Sequence, residues 1–557
     1  MSEDAPSPVD DAVDPTDPWV RQAQTFPVLS ADMVERVRAY GAEEAFAAPR
    51  LLFARGDRDA DFFVVLDGAV AILVDELRGG RTALVTYGPG QFTGELNLYN
   101  SRQMMVAGEA AAGARVVRVR HADFRRLVSA EPDIGEIVMR AFILRRVGFI
   151  RRAMGGVALV GRAQNADFLR IRQFLTRNGY PHEAIDVDAA VDDLALKGLD
   201  VGAGELPAVV APNREILRNP ATLALAERLG LTEALDPATV YDVAVVGAGP
   251  AGLAAAVYAA SEGLDVIVIE TNAPGGQAGQ SSKIENYLGF PTGISGQTLA
   301  GRAQVQAQKF GARLALARAA LALDCSGAPF GLALDDGQSV RARAVVVATG
   351  ARYRRLDLPD YAKYEGQGIQ YAATAVEAQL CAGQEAIVVG GGNSAGQAAM
   401  FLSRLAAHVH LLVRGPGLSA TMSDYLVQRI ATSPRITLRA FTEIAALHGD
   451  EHLRAVSYRN NATGEVETRK AGALFVMIGA EPNTDWLDGC LELDAQGFVR
   501  TGFDCDATPD SSPYATSRAG VFAIGDVRAG SVKRVAAAVG EGSVVVHAIH
   551  RFLNPAL

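Results

Sequence analysis

The chain has 557 residues, 49% of them hydrophobic and 21% charged, with a net charge of −10. At roughly 150 residues per domain, this length calls for about three to four domains with separate cores rather than one. The acidic balance excludes a nucleic-acid binder, which needs a concentrated surplus of Lys and Arg; no apolar run nears the roughly 20 residues of a membrane span, and the acidic N-terminus MSEDAPSPVDDAVDPTDP is unlike a signal peptide, so a cytoplasmic protein is expected.

In chain order, residues 1–26 are rich in Asp and Pro and cannot bury enough apolar surface to offset chain entropy, so a disordered tail is expected. Residues 27–155 carry short alternating apolar runs, FFVVLDG, AVAILVD and ALVTYGPG, each closed by Gly, Asp or Pro, which is the rhythm of a small antiparallel barrel or jelly roll. Leu127, Ile134, Ile137, Val138, Phe142 and Ile143 then recur at helical spacing. Residues 156–236 alternate strand and helix, with VALVG, a helix through FLRIRQFLTRNG ending at Gly179, then AIDVD, LPAVVAP and LALAERLGL, which indicates a small α/β layer. Two strand-glycine-helix units follow, YDVAVVGAGPAGLAAAVYAASEGLDVIVIE and EAIVVGGGNSAGQAAMFLSRLAAHVHLLVR, so a multidomain protein ending in two Rossmann-like α/β domains is expected.

The four cysteines, Cys325, Cys381, Cys490 and Cys505, form no CxxC pair for redox cycling or zinc. Of the eight His residues, His408 and His410 are two apart on an expected strand, and His547 and His550 fall on the final helix; no converging ligand set is visible and no metal site is expected.

In the first glycine unit the apolar strand Val243 to Val246 runs into Gly247-x-Gly249-x-x-Gly252, with a helix opening near Pro250 and Ala251. Gly247 permits a tight turn, Gly249 lets a pyrophosphate approach the backbone, and Gly252 lets helix and strand pack closely. A second strand ends at Glu270, where a carboxylate can accept hydrogen bonds from the adenosine ribose hydroxyls. The second unit offers Gly390, Gly391, Gly392, Asn393, Ser394 and Ala395, and its following strand ends at Val413-Arg414. A cation there favours the 2′-phosphate of NADPH over NADH, although one Arg at a strand end is also simply solvated.

Residues 240–557 resemble the low-molecular-weight thioredoxin reductase family of flavoproteins. The resemblance rests on GAGPAGLAAAVYAA with Glu270, on GGQAGQSSKIENYLGFP, on ATGA, and on GVFAIGDVRAGSVKRVAAAVGEG. It implies an FAD domain of 240–355 plus 484–557 with an NAD(P)H domain, 356–483, inserted. It also implies FAD contacts from Gly276, Gln277 and Asn286, from Thr349 and Gly350, and from Gly525, Asp526, Arg534, Val535 and Ala536. Hinges near Arg352 to Leu358 and Gly479 to Thr484, and a homodimer, follow from the same likeness. One departure matters: Ala372-Ala373-Thr374-Ala375 stands where the family has Cys-Ala-Thr-Cys, so Ala372 and Ala375 replace both thiols and no catalytic residue is assigned. The 2′-phosphate arginines are also reduced to Arg414, which leaves NADPH and NADH both open.

The segment YGPGQFTGELNLYNSRQ resembles the phosphate cassette of cyclic-nucleotide-binding domains, with Gly94, Glu95 and Leu96 matching and Arg102 as candidate phosphate ligand. Met104 and Met105 depart from that pattern, and a fold kept for docking or dimerisation is the competing expectation. Residues 156–236 resemble a thioredoxin or glutaredoxin fold without cysteines, with Leu206-Pro207 at the cis-proline position. The expected function is an FAD-dependent NAD(P)H oxidoreductase passing electrons to an unknown acceptor, regulated through its leading domains. The alternatives are a flavin- or nucleotide-responsive regulator with little turnover, or an unusual thioredoxin-disulfide reductase.

Overall fold

The structure is a computed structural model. It describes residues 21–75, 80–100, 102–188, 199, 201–212, 215–281, 283–365, 367–371, 373, 375–450, 452–487, 489–505 and 512–554. Most of the expected tail, residues 1–20, lies outside them. The chain forms two compact units: one holds the residues up to Val160 with Gly179–Arg218 and Leu229–Leu231, and the other holds Gly161–Asn178, Asn219–Arg228 and everything from Thr232.

In the first unit, two antiparallel sheets make the β-rich domain. One orders Ala42–Ala45, Arg115–Val119 and Phe62–Asp67; the other orders Arg50–Phe53, Ala107–Ala110, Val70–Asp75 and Arg81–Tyr87. Val70, Ile72 and Val74 turn inward and their neighbours outward, the period-two pattern of a strand with one buried face. Phe62, Phe92, Phe124 and Phe142 form a connected aromatic core with ring centroids 5.2–6.2 Å apart. The helical spacing after residue 120 resolves into two helices, His121–Ala130 and Pro132–Arg151, because Pro132 lacks the amide that continuation would need and instead opens a new helix. The α/β strands order Ile216–Arg218, Ala208–Val210, Val157–Gly161 and His182–Asp186, and the Leu206-Pro207 peptide is cis.

The second unit carries two Rossmann-like sheets. The larger orders Arg313–Leu316, Val266–Glu270, Val240–Val246, Ser339–Val347, Phe330–Leu334 and Ala320–Asp324, with Val521–Ala523 paired to Ser339–Val347. Its central strands are parallel, with Val245 opposite Val268 and Val346, and buried on both faces, which is why they read as unbroken Val and Ile runs. The Ala-rich helix Pro250–Ser261 is buried on nearly every side and packs on the closing helix Val535–Leu553, where a side chain at Gly542 would collide with the Ala251 carbonyl. The smaller sheet orders Ile369–Gln370, Ala473–Val476, Glu385–Val389, His408–Leu412 and Ile436–Arg439, all parallel. The two sheets are joined by a two-stranded antiparallel ribbon, Ala351–Tyr353 against Ala480–Pro482.

The helix Ala166–Arg177 lies in this second unit. Arg172 Nη2 donates to Gln379 Oε1 at 3.2 Å and Gln173 Nε2 to Glu377 Oε1 at 2.9 Å, on the nicotinamide side. At its other end Gln297 Nε2 donates to the Thr176 carbonyl and Asn178 Nδ2 to the Asn272 carbonyl, on the flavin side. One helix therefore holds both halves.

Candidate active site

Gly247 takes φ +106°, and a side chain there would collide with the Ala348 carbonyl. Gly252, one helical turn on, would collide with the Gly247 carbonyl in the same way. Gly249 is the contrasting position: a Cβ there would meet nothing within 4 Å, so its open side faces the cavity at the N-terminus of Pro250–Ser261. Bare backbone at a helix N-terminus is where a diphosphate is held, by N–H groups and the positive end of the helix dipole.

Glu270 closes its strand and is only 8% exposed. Its Oε2 accepts from the Ala248 amide at 2.9 Å and its Oε1 from the Asn272 amide at 3.0 Å. The carboxylate thus braces the glycine turn, a role the sequence did not show, and still has acceptor sites to offer, since an ionised carboxylate has about four. Glu541 of the closing helix, itself off the cavity wall, accepts from the Gly525 amide at 2.6 Å and pairs with Arg528 at 2.8 Å, fixing the turn that presents Asp526. Burial raises the Asp526 carboxyl above its ordinary pKa, opposed by the nearby Lys533.

The glycine turn, Glu270 and Asp526 line one cavity of about 1070 Å³, above the usual upper size for a single small-molecule site of roughly 1,000 Å³. Gly247, Gly249, Pro250, Ala251, Glu270, Gly276, Gln277, Asn286, Thr349, Gly350, Gly525, Asp526, Arg534, Val535 and Ala536 all stand on its wall. So do Asn393, Ser394 and Gln397, from the first turns of the second glycine-loop helix, Asn393–Leu402. Gly390, with φ +140°, forms the turn behind them against the Met477 carbonyl, and Gly391, Gly392 and Ala395 complete that turn without lining the cavity. The strand His408–Leu412 ends before the expected Val413-Arg414, and Arg414 is exposed off the cavity wall.

Several lining residues carry no motif. Tyr353 and Tyr371 stack in parallel, centroids 5.3 Å apart, and burial pushes the Tyr353 phenol up to about 12. Arg177 reaches the cavity from the helix that bridges both halves. Only their place in the fold brings these groups to the site; the aromatic content of the hinge segment was the one available signal.

Of the positions where the thiols are missing, Ala372 lies outside the described residues and Ala375 opens the short helix Ala375–Ala378. Cys381 is fully buried, its Sγ donates to the Ala378 carbonyl at 3.3 Å, and burial pushes the thiol up to about 11, which makes it a poor nucleophile. Cys325 and Cys490 are joined as a disulfide, and Cys505 is buried. Among the described residues no group of three or more His, Cys, Asp or Glu converges.

In the β-rich domain the motif residues take unexpected partners. Glu95 is 2% exposed and pairs with Arg146 at 3.0 Å, and burial raises its pKa. Arg145 donates to the Gly94 and Thr25 carbonyls and lies 4.9 Å from the ring centroids of Tyr87 and Phe92. Leu96 is buried, and Arg102 contributes to Glu95 electrostatically without being the partner in its ion pair. A hollow between Phe53, Glu95, Met104, Arg145 and Phe149 is about 20 Å³, room for about one water.

Two dinucleotide turns opening on one cavity, with the acid and small residues that frame a flavin, define an FAD- and NAD(P)H-dependent flavoprotein oxidoreductase. A family model described as pyridine nucleotide-disulphide oxidoreductase matches residues 241–542, and one described as cyclic nucleotide-binding domain matches residues 43–131. The chain belongs to the pyridine nucleotide-disulphide oxidoreductase family and is thioredoxin reductase-like. It is 33% identical over 315 residues to a thioredoxin reductase of Streptomyces clavuligerus, covering 56% of this chain and 94% of that one. It is 34% identical over 322 residues to NADPH-dependent thioredoxin reductase 3 of Arabidopsis thaliana, covering 57% of this chain and 59% of the relative. The crystal structure of Lactococcus lactis thioredoxin reductase in its FR conformation is similar with a TM-score of 0.52 at 27% identity, covering 57% of this chain and 99% of that one. Among the described residues no helix is long and apolar enough to cross a membrane.

Proposed function

We propose that this protein oxidises NADPH or NADH and delivers the electrons to an acceptor other than a thioredoxin-type CxxC disulfide. FAD, when bound, supplies the two-electron relay between the nicotinamide and that acceptor. The reading is carried by one observation: the flavin-side turn at Gly249 and the nicotinamide-side turn at Asn393 and Ser394 share a single cavity. Positioning two rings asks for alignment more than for an acid or base, so the loss of both thiols leaves this half-reaction intact. In it Gly249 and the N-terminus of Pro250–Ser261 would hold the diphosphate, Glu270 would orient the ribose, and Asp526 would hold the ribityl chain. Gln277, whose Nε2 donates to the Ala351 carbonyl, would tie the flavin wall to the hinge ribbon.

The buried, raised thiol of Cys381 supports an acceptor outside this chain's own thiols, for which a quinone, oxygen, an iron–sulfur protein or a partner's disulfide of another type are the chemical candidates. The second reading, a regulator with little turnover, draws on the helix Ala166–Arg177, which bonds to both halves and would restrict their movement. A cytoplasmic homodimer belongs to the same proposal and is checked by sedimentation. The deciding experiment is anaerobic rapid mixing of the FAD-loaded protein with NADPH and separately with NADH, following flavin absorbance. Fast bleaching by either is the expected result; no bleaching by both, with FAD bound, would reject the oxidoreductase reading in favour of the regulator.

A further inference from the structure

Arg177 is the last residue of the helix Ala166–Arg177, which precedes the matched family region by more than sixty positions. Its Nη2 donates to the carbonyls of Ala273 and Gly276, each at 3.3 Å, long and weak for charge-assisted bonds. Its Nε is buried and has no hydrogen-bond partner among the described residues. Those two carbonyls belong to the loop that follows Glu270. That loop lies against the glycine turn: the Gly275 amide donates to the Ala248 carbonyl at 2.7 Å, and a Cβ on Gly276 would come within 3.1 Å of the Gly249 Cα. Arg177 thus lines the same cavity as Gly249 and its open face.

The electrostatics point the same way. Burial works against the Arg177 charge, and the attraction that offsets it comes first from Glu270, whose oxygens already accept from the Ala248 and Asn272 amides. A planar guanidinium presents five donors in a fork suited to bidentate binding of phosphate oxygens, and here two weak carbonyl contacts at Nη2 leave the buried Nε unspent. The anion that enters this cavity with the dinucleotide is its diphosphate.

We infer that Arg177 is a further FAD-binding residue, holding the diphosphate end of the cofactor from a helix outside the flavoprotein fold. The inference rests on the assignment of the cavity to FAD and is independent of whether hydride transfer occurs. It makes FAD occupancy and docking of the helix reciprocal: each stabilises the other by the same factor.

The test uses the full chain stripped of FAD, with FAD titrated back by fluorescence quenching. Arg177→Gln is expected to weaken FAD binding roughly ten- to hundredfold, the range for a hydrogen bond to a charged group, and to flatten the salt dependence of binding, while Arg177→Lys loses less. The melting temperature of the apoprotein should be unchanged by Arg177→Gln while the FAD-induced rise in melting temperature shrinks. Unchanged FAD affinity and salt dependence in a folded Arg177→Gln protein would overturn the inference. Should that variant fail to fold, amide exchange of the wild-type chain decides: slower exchange of residues 166–178 on adding FAD supports it, and no change in that segment overturns it.

Discussion

A single buried carboxylate illustrates how the site is held. Glu541 accepts the Gly525 amide and pairs with Arg528, and both bonds lie beneath the turn that carries Asp526. Glu541→Ala removes one partner and leaves a buried amide and a guanidinium unanswered, a loss of roughly 2–4 kcal/mol. The expected outcome is a lowered melting temperature together with substoichiometric flavin, read as the 450 nm absorbance per chain after gel filtration. The residue scale also marks the limit of what a sequence shows. Gly247, Gly249 and Glu270 announce themselves because strand, turn, helix and acid must follow one another in order for a diphosphate to sit on bare backbone. Glu541, Tyr371 and Arg177 announce nothing, because each is brought to the site by tertiary packing across long stretches of chain. Glu95 and Arg102 show the reverse case, in which a motif is legible and its partner is another: Arg146, on a helix about fifty residues later, pairs with the Glu95 carboxylate that a ribose hydroxyl would meet.

Among the elements, the β-rich domain keeps the strand pairing of a nucleotide-binding roll while its own C-terminal helix occupies the interior. Arg145 donates to the Gly94 carbonyl, Arg146 forms an ion pair with the buried Glu95, whose carboxylate oxygens make no hydrogen bond among the described residues, and the hollow beside them is about 20 Å³. Calorimetric titration of the full chain with cyclic AMP or cyclic GMP at millimolar concentration should therefore give no binding heat, and saturable heat would show that the helix can be displaced. The strand His408–Leu412 carries a second consequence. His410 is 3% exposed and faces Glu385, Arg439, His408 and Arg469; burial first, then Arg439, depress its pKa below 6.5, with Glu385 opposing. The unfolded chain takes up a proton as the pH falls through about 6.5 and the folded chain only at lower pH, so His410 costs no stability above about 6.5 and progressively more as the pH falls below it. Melting temperatures measured from pH 7.5 to 5.5 should fall less steeply for His410→Gln than for the parent chain. The hydrophobic patterning that revealed both elements could not reveal either effect, since each depends on which polar groups are set opposite.

For the whole molecule, the strand and helix alternation read from sequence gave the order of modules, whereas the compact units divide the third of them. The helix Ala166–Arg177 lies with the flavoprotein unit: Arg172, Gln173 and Arg177 donate to Gln379, Glu377 and the Ala273 and Gly276 carbonyls, its Thr176 carbonyl accepts from Gln297, and the capping Asn178 donates to the Asn272 carbonyl, pairings that leave no periodic trace in a sequence. Since this helix bonds to both halves, cutting its nicotinamide-side contacts with Arg172→Ala and Gln173→Ala should free one half. Limited proteolysis is then expected to become severalfold faster near residues 354–358, and flavin reduction to change from a single phase to two. Equal cleavage rates in variant and parent would show that the helix does not restrain the halves.

The two-stranded ribbon is where the two sheets are connected. Both chain crossings between the halves pass side by side through Ala351–Tyr353 and Ala480–Pro482, tied by the strand pairing and by Arg352, whose guanidinium meets Asp485 at 2.5 Å. Both crossings of the chain between the halves are therefore bound into one narrow strap, so a change that loosens either strand loosens the other through the same pairing.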